Sequence, residues 1–302
     1  MGIKYYFEPE LEKPDLVIGW PGIGNVGIIA ADTLRRIVRA EQFAEIEPYE
    51  FFYPKKLVIK NSILTELSFP SNRFYYRKTN GKDLMFFIGE EQPSEPDSMY
   101  AKGSKAYRLA NLVLDVAQKF GCQRVYTSGA AVSLIHHTST SRVWFVPNKP
   151  ALINEAKKYK NVLLMGGSIN TTGQGNITGL NGLLLGVAKK RGFEGICLMG
   201  EVPIYLQGFP IPYPKASKSV IKVLTTKLGM KVDLSSLQNL SDQVEAQIEQ
   251  LYEKIPIEVR ERLDQLKHTT FTEKDIEAIT EEDKREIMAD IDKFFQRTGG
   301  ED

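Results

Sequence analysis

The sequence predicts an α/β fold: a mixed, mostly parallel sheet flanked by helices over residues 1–230, followed by an acidic helical C-terminal extension over residues 231–302. Three observations predict it. Short apolar runs of the buried-strand type alternate with stretches whose apolar residues recur every three or four positions, the pattern of strands and amphipathic helices in one layered domain. Glycine-rich turns lead directly into helical stretches. Beyond residue 230 the strand signals stop and the charge balance inverts, from 19 acidic and 29 basic side chains in residues 1–230 to 19 acidic and 10 basic in residues 231–302.

Taken in order, Leu16–Trp20 is the first clear strand, with a Pro-Gly turn and then a helix marked by Val26, Ile29, Ala30, Leu34, Ile37 and Val38. Residues 49–78 are rich in Phe, Tyr, Ile and Leu without helical period and are broken at Pro54, Pro70 and Asn72, so two or three antiparallel strands are expected up to about Arg77. Asn80-Gly81 marks a tight turn before the strand Leu84–Ile88. Ala106, Leu109, Ala110, Val113, Ala117 and Phe120 form a helical stripe that Gly121 ends. Further strands are expected at 124–127, 143–146, 161–165 and 195–199, with helices near 150–159, 179–190 and 215–228. In the extension, Leu234, Leu237, Leu240, Val244, Ile248, Leu251 and Ile255 make one stripe up to Pro256, and Val259, Leu263 and Leu266 resume it. Thr280-Glu281-Glu282-Asp283 reads as a capping box for a last helix with Ile287, Ile291, Phe294 and Phe295 on one face.

Composition excludes several classes. Hydrophobic residues make up 42% and charged residues 25%, an ordinary folded composition. The two cysteines, Cys122 and Cys197, have no paired spacing that would suggest a disulfide framework or a zinc knuckle, so a reducing compartment is expected. The start of the chain lacks a signal-peptide pattern, and no window approaches the roughly 20 apolar residues of a membrane span. A cytoplasmic protein with no membrane partner is the expectation. Nucleic acid is not an expected partner, because no basic stripe is interleaved with aromatics.

Gly22-Ile23-Gly24-Asn25-Val26-Gly27 matches the dinucleotide fingerprint, in which side-chain-free backbone lets a pyrophosphate reach the positive end of a helix. Two features depart from it. Trp20-Pro21 stand before the first glycine, and Glu45-Ile46-Glu47-Pro48 leads into an antiparallel meander where a second parallel strand ending in an acid belongs. The stretch Gly173-Gln174-Gly175-Asn176-Ile177-Thr178-Gly179 precedes another helix. It lacks a Gly-Lys-Ser/Thr ending and reads as a connection capped by Thr178 or Asn176. Glu90, Glu91, Gln92 and Glu201 lie at strand ends, where carboxylates could gather in the crevice in which open α/β sheets bind ligands. His136 and His137, if extended, point to opposite sides and do not form a metal site. No nucleophile elbow surrounds Ser128. No catalytic residues, metal or cofactor are therefore assigned. The candidate ligand or interface pocket comprises Gly22, Gly24, Asn25, Gly27, Glu90, Gln92, Gly173, Gly175, Glu201 and Tyr205.

Three stretches together resemble the proteasome assembly chaperone 2 family: Leu16–Gly27 with its Trp-Pro before the glycines, Gly89-Glu90-Glu91-Gln92-Pro93, and the set Gly179–Leu184, Gly200–Tyr205 and Pro214–Lys218. The resemblance spans about residues 10–230. It implies a fold akin to the nucleoside phosphorylases and hydrolases, a homo-oligomer, and a scaffold or assembly chaperone whose eukaryotic relatives help proteasome α subunits assemble. A nucleotide- or nucleoside-binding enzyme, resembling an ATP-dependent ligase or a phosphorylase and using the glycine-rich turns, stands as the alternative. Proteins that dock into α-ring pockets by their C-termini often end in a hydrophobic residue, a tyrosine and one more, whereas this sequence ends Gly299-Gly300-Glu301-Asp302. Any proteasome contact is expected to use another surface. The tail stripe is expected to serve contacts between subunits.

Overall fold

A computed structural model describes residues 2–93, 103–165 and 176–267. In chain order the elements are β1 (Ile3–Tyr5), β2 (Asp15–Gly19), α1 (Val26–Ile37), β3 (Glu41–Ile46), β4 (Lys56–Lys60), β5 (Ile63–Ser68), β6 (Asn72–Arg77), β7 (Leu84–Gly89), α2 (Gly103–Lys119), β8 (Arg124–Ser133) and β9 (Val143–Pro147). They continue as α3 (Ile153–Ala156), β10 (Val162–Leu164), α4 (Gly179–Lys190), β11 (Glu194–Pro203), α5 (Pro214–Lys227), α6 (Ser235–Tyr252) and α7 (Ile257–Gln265).

Nine strands form one mixed sheet in the order β1-β3-β6-β7-β2-β8-β11-β9-β10. Its centre, β7-β2-β8-β11, is parallel, as the fully buried runs of β2 and β7 require. Antiparallel strands extend both flanks, β6, β3 and β1 on one side and β9 on the other. One face of the sheet packs Val17, Phe86, Tyr126 and Leu198 against α1 and α5, and α6 lies over α5. The opposite face packs Leu16, Ile18, Phe87 and Val125 against α2 and α4. The result is helices on both faces of a sheet, as the alternating pattern predicted.

The strands at the sheet margin are where sequence and structure part. β1 is short and β3 has its apolar alternation interrupted by Glu41, Gln42 and Glu45, so neither carries a strong strand signal; backbone pairing organises them instead, β3 with β6 and β1 with β3. β4 and β5 do not join the sheet; they form a separate two-stranded hairpin. The helix expected over 150–159 is a single turn, α3, preceded by a tight turn at Pro150–Leu152. The capping box at Thr280 and the final helix lie outside the described residues. No described helix is long and apolar enough to cross a membrane.

Candidate functional site

Four parallel strands end at the same edge, and the residues that follow them, with the start of α4, build the site. After β2 the chain turns through Trp20, Pro21 and Gly22 into a short tight turn, Ile23–Asn25, and then into α1. Gly24 and Asn25 take left-handed backbone conformations, with φ of 57° and 51°. Gly24 is bound from within: its carbonyl accepts the Tyr213 N–H at 2.7 Å, and a Cβ on it would lie 2.9 Å from the Tyr213 Cβ. Gly27 carries the closest approach in this segment, since a Cβ there would fall 2.1 Å from the Ser128 carbonyl oxygen of β8. The Ser128 hydroxyl in turn donates to the carbonyls of Ile18 and Gly27, and the Ser217 hydroxyl of α5 donates to that of Val26. The glycines press α1 onto β8 and α5. The second half of a dinucleotide site does not follow, because β3, next in sequence after α1, lies beyond β7 and β6 and runs antiparallel to β6.

At the other glycine-rich turn, Gly173 and Gly175 lie outside the described residues. The start of α4 is occupied by a neighbour's side chain: the Leu180 N–H donates to Gln92 Oε1 at 3.1 Å, and Gln92 Nε2 donates to the Pro21 carbonyl at 2.6 Å. Thr178 sits at the cap position without a side-chain bond to the helix, so Gln92 fills the role expected of Thr178 or Asn176. One amide thereby joins the turn after β2, the end of β7 and the first turn of α4.

The carboxylates do not gather. Glu90 follows β7 and Glu201 lies in β11, three strand spacings or about 14 Å across the sheet. Glu201 is fully buried and satisfied: Arg142 Nε donates to Oε2 at 2.8 Å and its Nη2 to Oε1 at 3.0 Å, while Trp144 Nε1 donates to Oε1 at 3.2 Å. Glu90 accepts the Ser71 hydroxyl at 2.7 Å, the Ser71 N–H at 3.2 Å and Lys55 Nζ at 3.1 Å. Its partial burial would raise its pKa, but the bonds from Ser71 and then Lys55 hold it below the usual carboxylate range.

A cluster that sequence reasoning missed surrounds Tyr205. His136 and His137 follow β8 in a turn closed by the Ser139 N–H on the His136 carbonyl. Their rings therefore stack, with centroids 4.1 Å apart, instead of diverging as an extended segment would make them. The Tyr205 hydroxyl lies 2.7 Å from both the backbone N and Nδ1 of His137. Accepting the first and donating to the second leaves His137 Nε2–H to donate to Glu249 of α6, at 2.7 Å. Tyr252 of α6 stacks edge-on to both imidazoles and donates its hydroxyl to Asp264 of α7 at 2.8 Å. Burial, then the neighbouring His137 and Lys267, push the His136 pKa down to about 4; burial also lowers that of His137 against the pull of Glu249. A histidine pair and a tyrosine just past the ends of adjacent parallel strands is a signal the sequence does carry. Tyr252, Glu249 and Asp264 are not legible there, since only the packing of α6 and α7 brings them over these strands.

The residues past the parallel strand ends thus bond mainly within the chain, with Leu134, Ile204, Leu263 and Leu266 sealing the region above β8 and β11. A sequence model of the PAC2 family matches residues 16–252, from the start of β2 to the end of α6. The chain belongs to the PAC2 family. Among solved PAC2-like structures, PbaB of Pyrococcus furiosus, described as an archaeal proteasome activator, is 30% identical with a TM-score of 0.67, covering 82% of this chain and 97% of PbaB. PbaA of the same organism, described as an archaeal homolog of proteasome-assembly chaperone, is 22% identical with a TM-score of 0.58, covering 87% and 97%; at that identity the likeness is one of fold. An uncharacterised protein of Methanocaldococcus jannaschii is 27% identical over 241 residues, 80% of this chain and 84% of that protein.

Proposed function

We propose that this PAC2-family chain is a non-catalytic, self-associating scaffold of the assembly-chaperone kind, working in the cytoplasm with proteasome subunits as its protein partner. One observation carries the non-catalytic part: the two helix starts at which a phosphate would bind are engaged by the chain's own groups, Gln92 on Leu180 at α4 and Tyr213 and Ser128 packed on Gly24 and Gly27 at α1. Helix N-termini attract anions because their first N–H groups lack partners. Here Gln92 takes the Leu180 N–H at α4, and at α1 the Gly22 and Ile23 carbonyls take the Asn25 and Val26 N–H groups while Tyr213 and the Ser128 backbone fill the space beside the glycines. The satisfied carboxylates Glu90 and Glu201 further support the reading, since neither stands free to move a proton. Membership of PAC2 and the likeness to PbaB, described as a proteasome activator, support proteasome subunits as the partner class.

Thermal melting with ATP, GTP, nucleosides and inorganic phosphate is expected to leave the midpoint unmoved, because a ligand of the folded state raises it by mass action. Native mass spectrometry of the chain mixed with proteasome α subunits of its own organism is expected to show a joint complex. A nucleotide-dependent shift that Gly24→Asp abolishes would instead establish the ligand-binding enzyme.

A further inference from the structure

Self-association needs a surface, and most of the amphipathic stripe of α6, which the sequence assigns to subunit contacts, is consumed within the chain: Leu237, Val244 and Ile248 are buried in the core around α5, while Leu240 stays 41% exposed. Among the described residues, nothing covers the β4–β5 hairpin in this way. Leu57, Ile59, Leu64 and Leu67 are 59%, 68%, 58% and 48% exposed. The register sets Leu57 opposite Leu67 and Ile59 opposite Leu64, with Thr65 as the extra residue of a bulge, so all four share one face. Every charge of the two strands, Lys56, Lys60 and Glu66, falls on the other face. Tyr53, beside the root of the hairpin, is 91% exposed.

The root of this blade is fastened. The Lys55 N–H donates to the Ser68 carbonyl at 2.7 Å, Lys55 Nζ reaches Glu90 and Glu91 at 3.1 and 3.4 Å, and Glu90 holds Ser71. Tyr49 packs edge-on to Phe69 at 5.1 Å. Glu90 at the end of β7 is therefore a post for the hairpin. An isolated two-stranded sheet is marginal in water, and a contiguous exposed aliphatic face marks a contact surface.

We propose that the aliphatic face of β4–β5 is the surface through which two copies of this chain associate, the two blades stacked face to face about a two-fold axis. This rests on the self-associating reading and names its surface. The four aliphatic side chains offer no donor, acceptor or charge for a dissimilar partner to read, whereas an identical face complements them, and a two-fold stack keeps Lys56 and Lys60 of both copies on the outside. The area suits a pair. At roughly 100 Å² for each aliphatic side chain and about 200 Å² for Tyr53, one copy contributes about 600 Å² and two copies about 1,200 Å², where specific interfaces begin.

Light scattering with size exclusion on the full chain tests this with Leu57→Lys/Leu67→Lys, the milder Leu57→Ser/Leu64→Ser and, as a control on the charged face, Lys60→Glu. Wild type and the control are expected to assemble, and both leucine pairs to raise the dissociation constant about 100-fold or more at unchanged melting temperature. Ile59→Cys with a short bifunctional maleimide is expected to give covalent dimers, the native Cys122 and Cys197 being buried. Leucine variants that assemble like wild type, or an Ile59→Cys chain that does not crosslink, overturn the assignment while leaving self-association standing. A monomeric wild type overturns both. Should the lysine pair unfold, the serine pair and the crosslink decide.

Discussion

Replacing Gly27 with alanine separates a glycine kept for packing from one kept for a phosphate. In an exposed helix interior, Gly→Ala stabilises by roughly 0.8–1.0 kcal/mol. At Gly27 the added Cβ would lie 2.1 Å from the Ser128 oxygen, 2.8 Å from its carbonyl carbon and 3.4 Å from the Gly129 nitrogen, all backbone atoms of β8 that no rotamer change can move. Bringing the carbon–oxygen pair to an ordinary contact of about 3.3 Å requires α1 to withdraw by about 1 Å. Val26, Ala30, Ala31 and Leu34 of that helix are 0% exposed and would lose contact together. Overpacking a core costs about 1–3 kcal/mol where side chains can yield, so about 3 kcal/mol or more is expected against a backbone wall. At Gly186 in α4 an added Cβ would meet no atom within 4 Å, so Gly186→Ala is the matched control and is expected to gain about 0.5–1 kcal/mol. Urea unfolding followed by circular dichroism reads both. A Gly27→Ala midpoint equal to or above wild type refutes the bracing role of the glycine turn.

Glu201→Ala strips Arg142 and Trp144 of a fully buried acceptor and is expected to lower stability by about 3–5 kcal/mol in the same assay, with Glu201→Gln milder. Ser71→Ala removes the strongest of the bonds that lower the Glu90 pKa, so a carboxyl NMR titration is expected to show that pKa rising and, with Lys55→Ala added, rising further. His136 titrates near 6.5 when free and is depressed to about 4 when docked, so the folded state binds fewer protons; stability is full above about pH 6.5 and is lost as pH falls toward 4. The groups facing it are His137, Tyr205, Tyr252, Thr138, Asp264 and Lys267, with Glu249 beyond His137. The urea unfolding midpoint is therefore expected to fall across that window, and His136→Phe to flatten the dependence.

Glu90 and Gln92 are visible in the sequence as polar residues beyond a strand, but their work is not. Gln92 caps a helix at Leu180, 88 residues later, and Glu90 fixes a hairpin through Lys55 and Ser71. Carboxylates at strand ends look alike in sequence whether they meet water, a substrate or an arginine, and Glu201 meets Arg142 only because β9 runs beside β11. The β4–β5 pair is legible as strands and illegible as a blade, since alternation reports pairing and says nothing of what, if anything, covers the face. His136 and His137 depart from the expectation of diverging rings because that expectation takes side-chain direction from an extended backbone, and the backbone turns there.

By itself the sequence determined the layered α/β class, the order of most strands and helices, and the resemblance to a family, because local periodicity, turn chemistry and glycine spacing are properties of neighbours along the chain. Tertiary structure alone decided that the glycine turn is filled by β8 and α5, that the acids stand about 14 Å apart, and that α6 and α7 close over the strand ends. Those outcomes depend on which distant segments pack together, and packing is set by complementarity between surfaces that no local window contains.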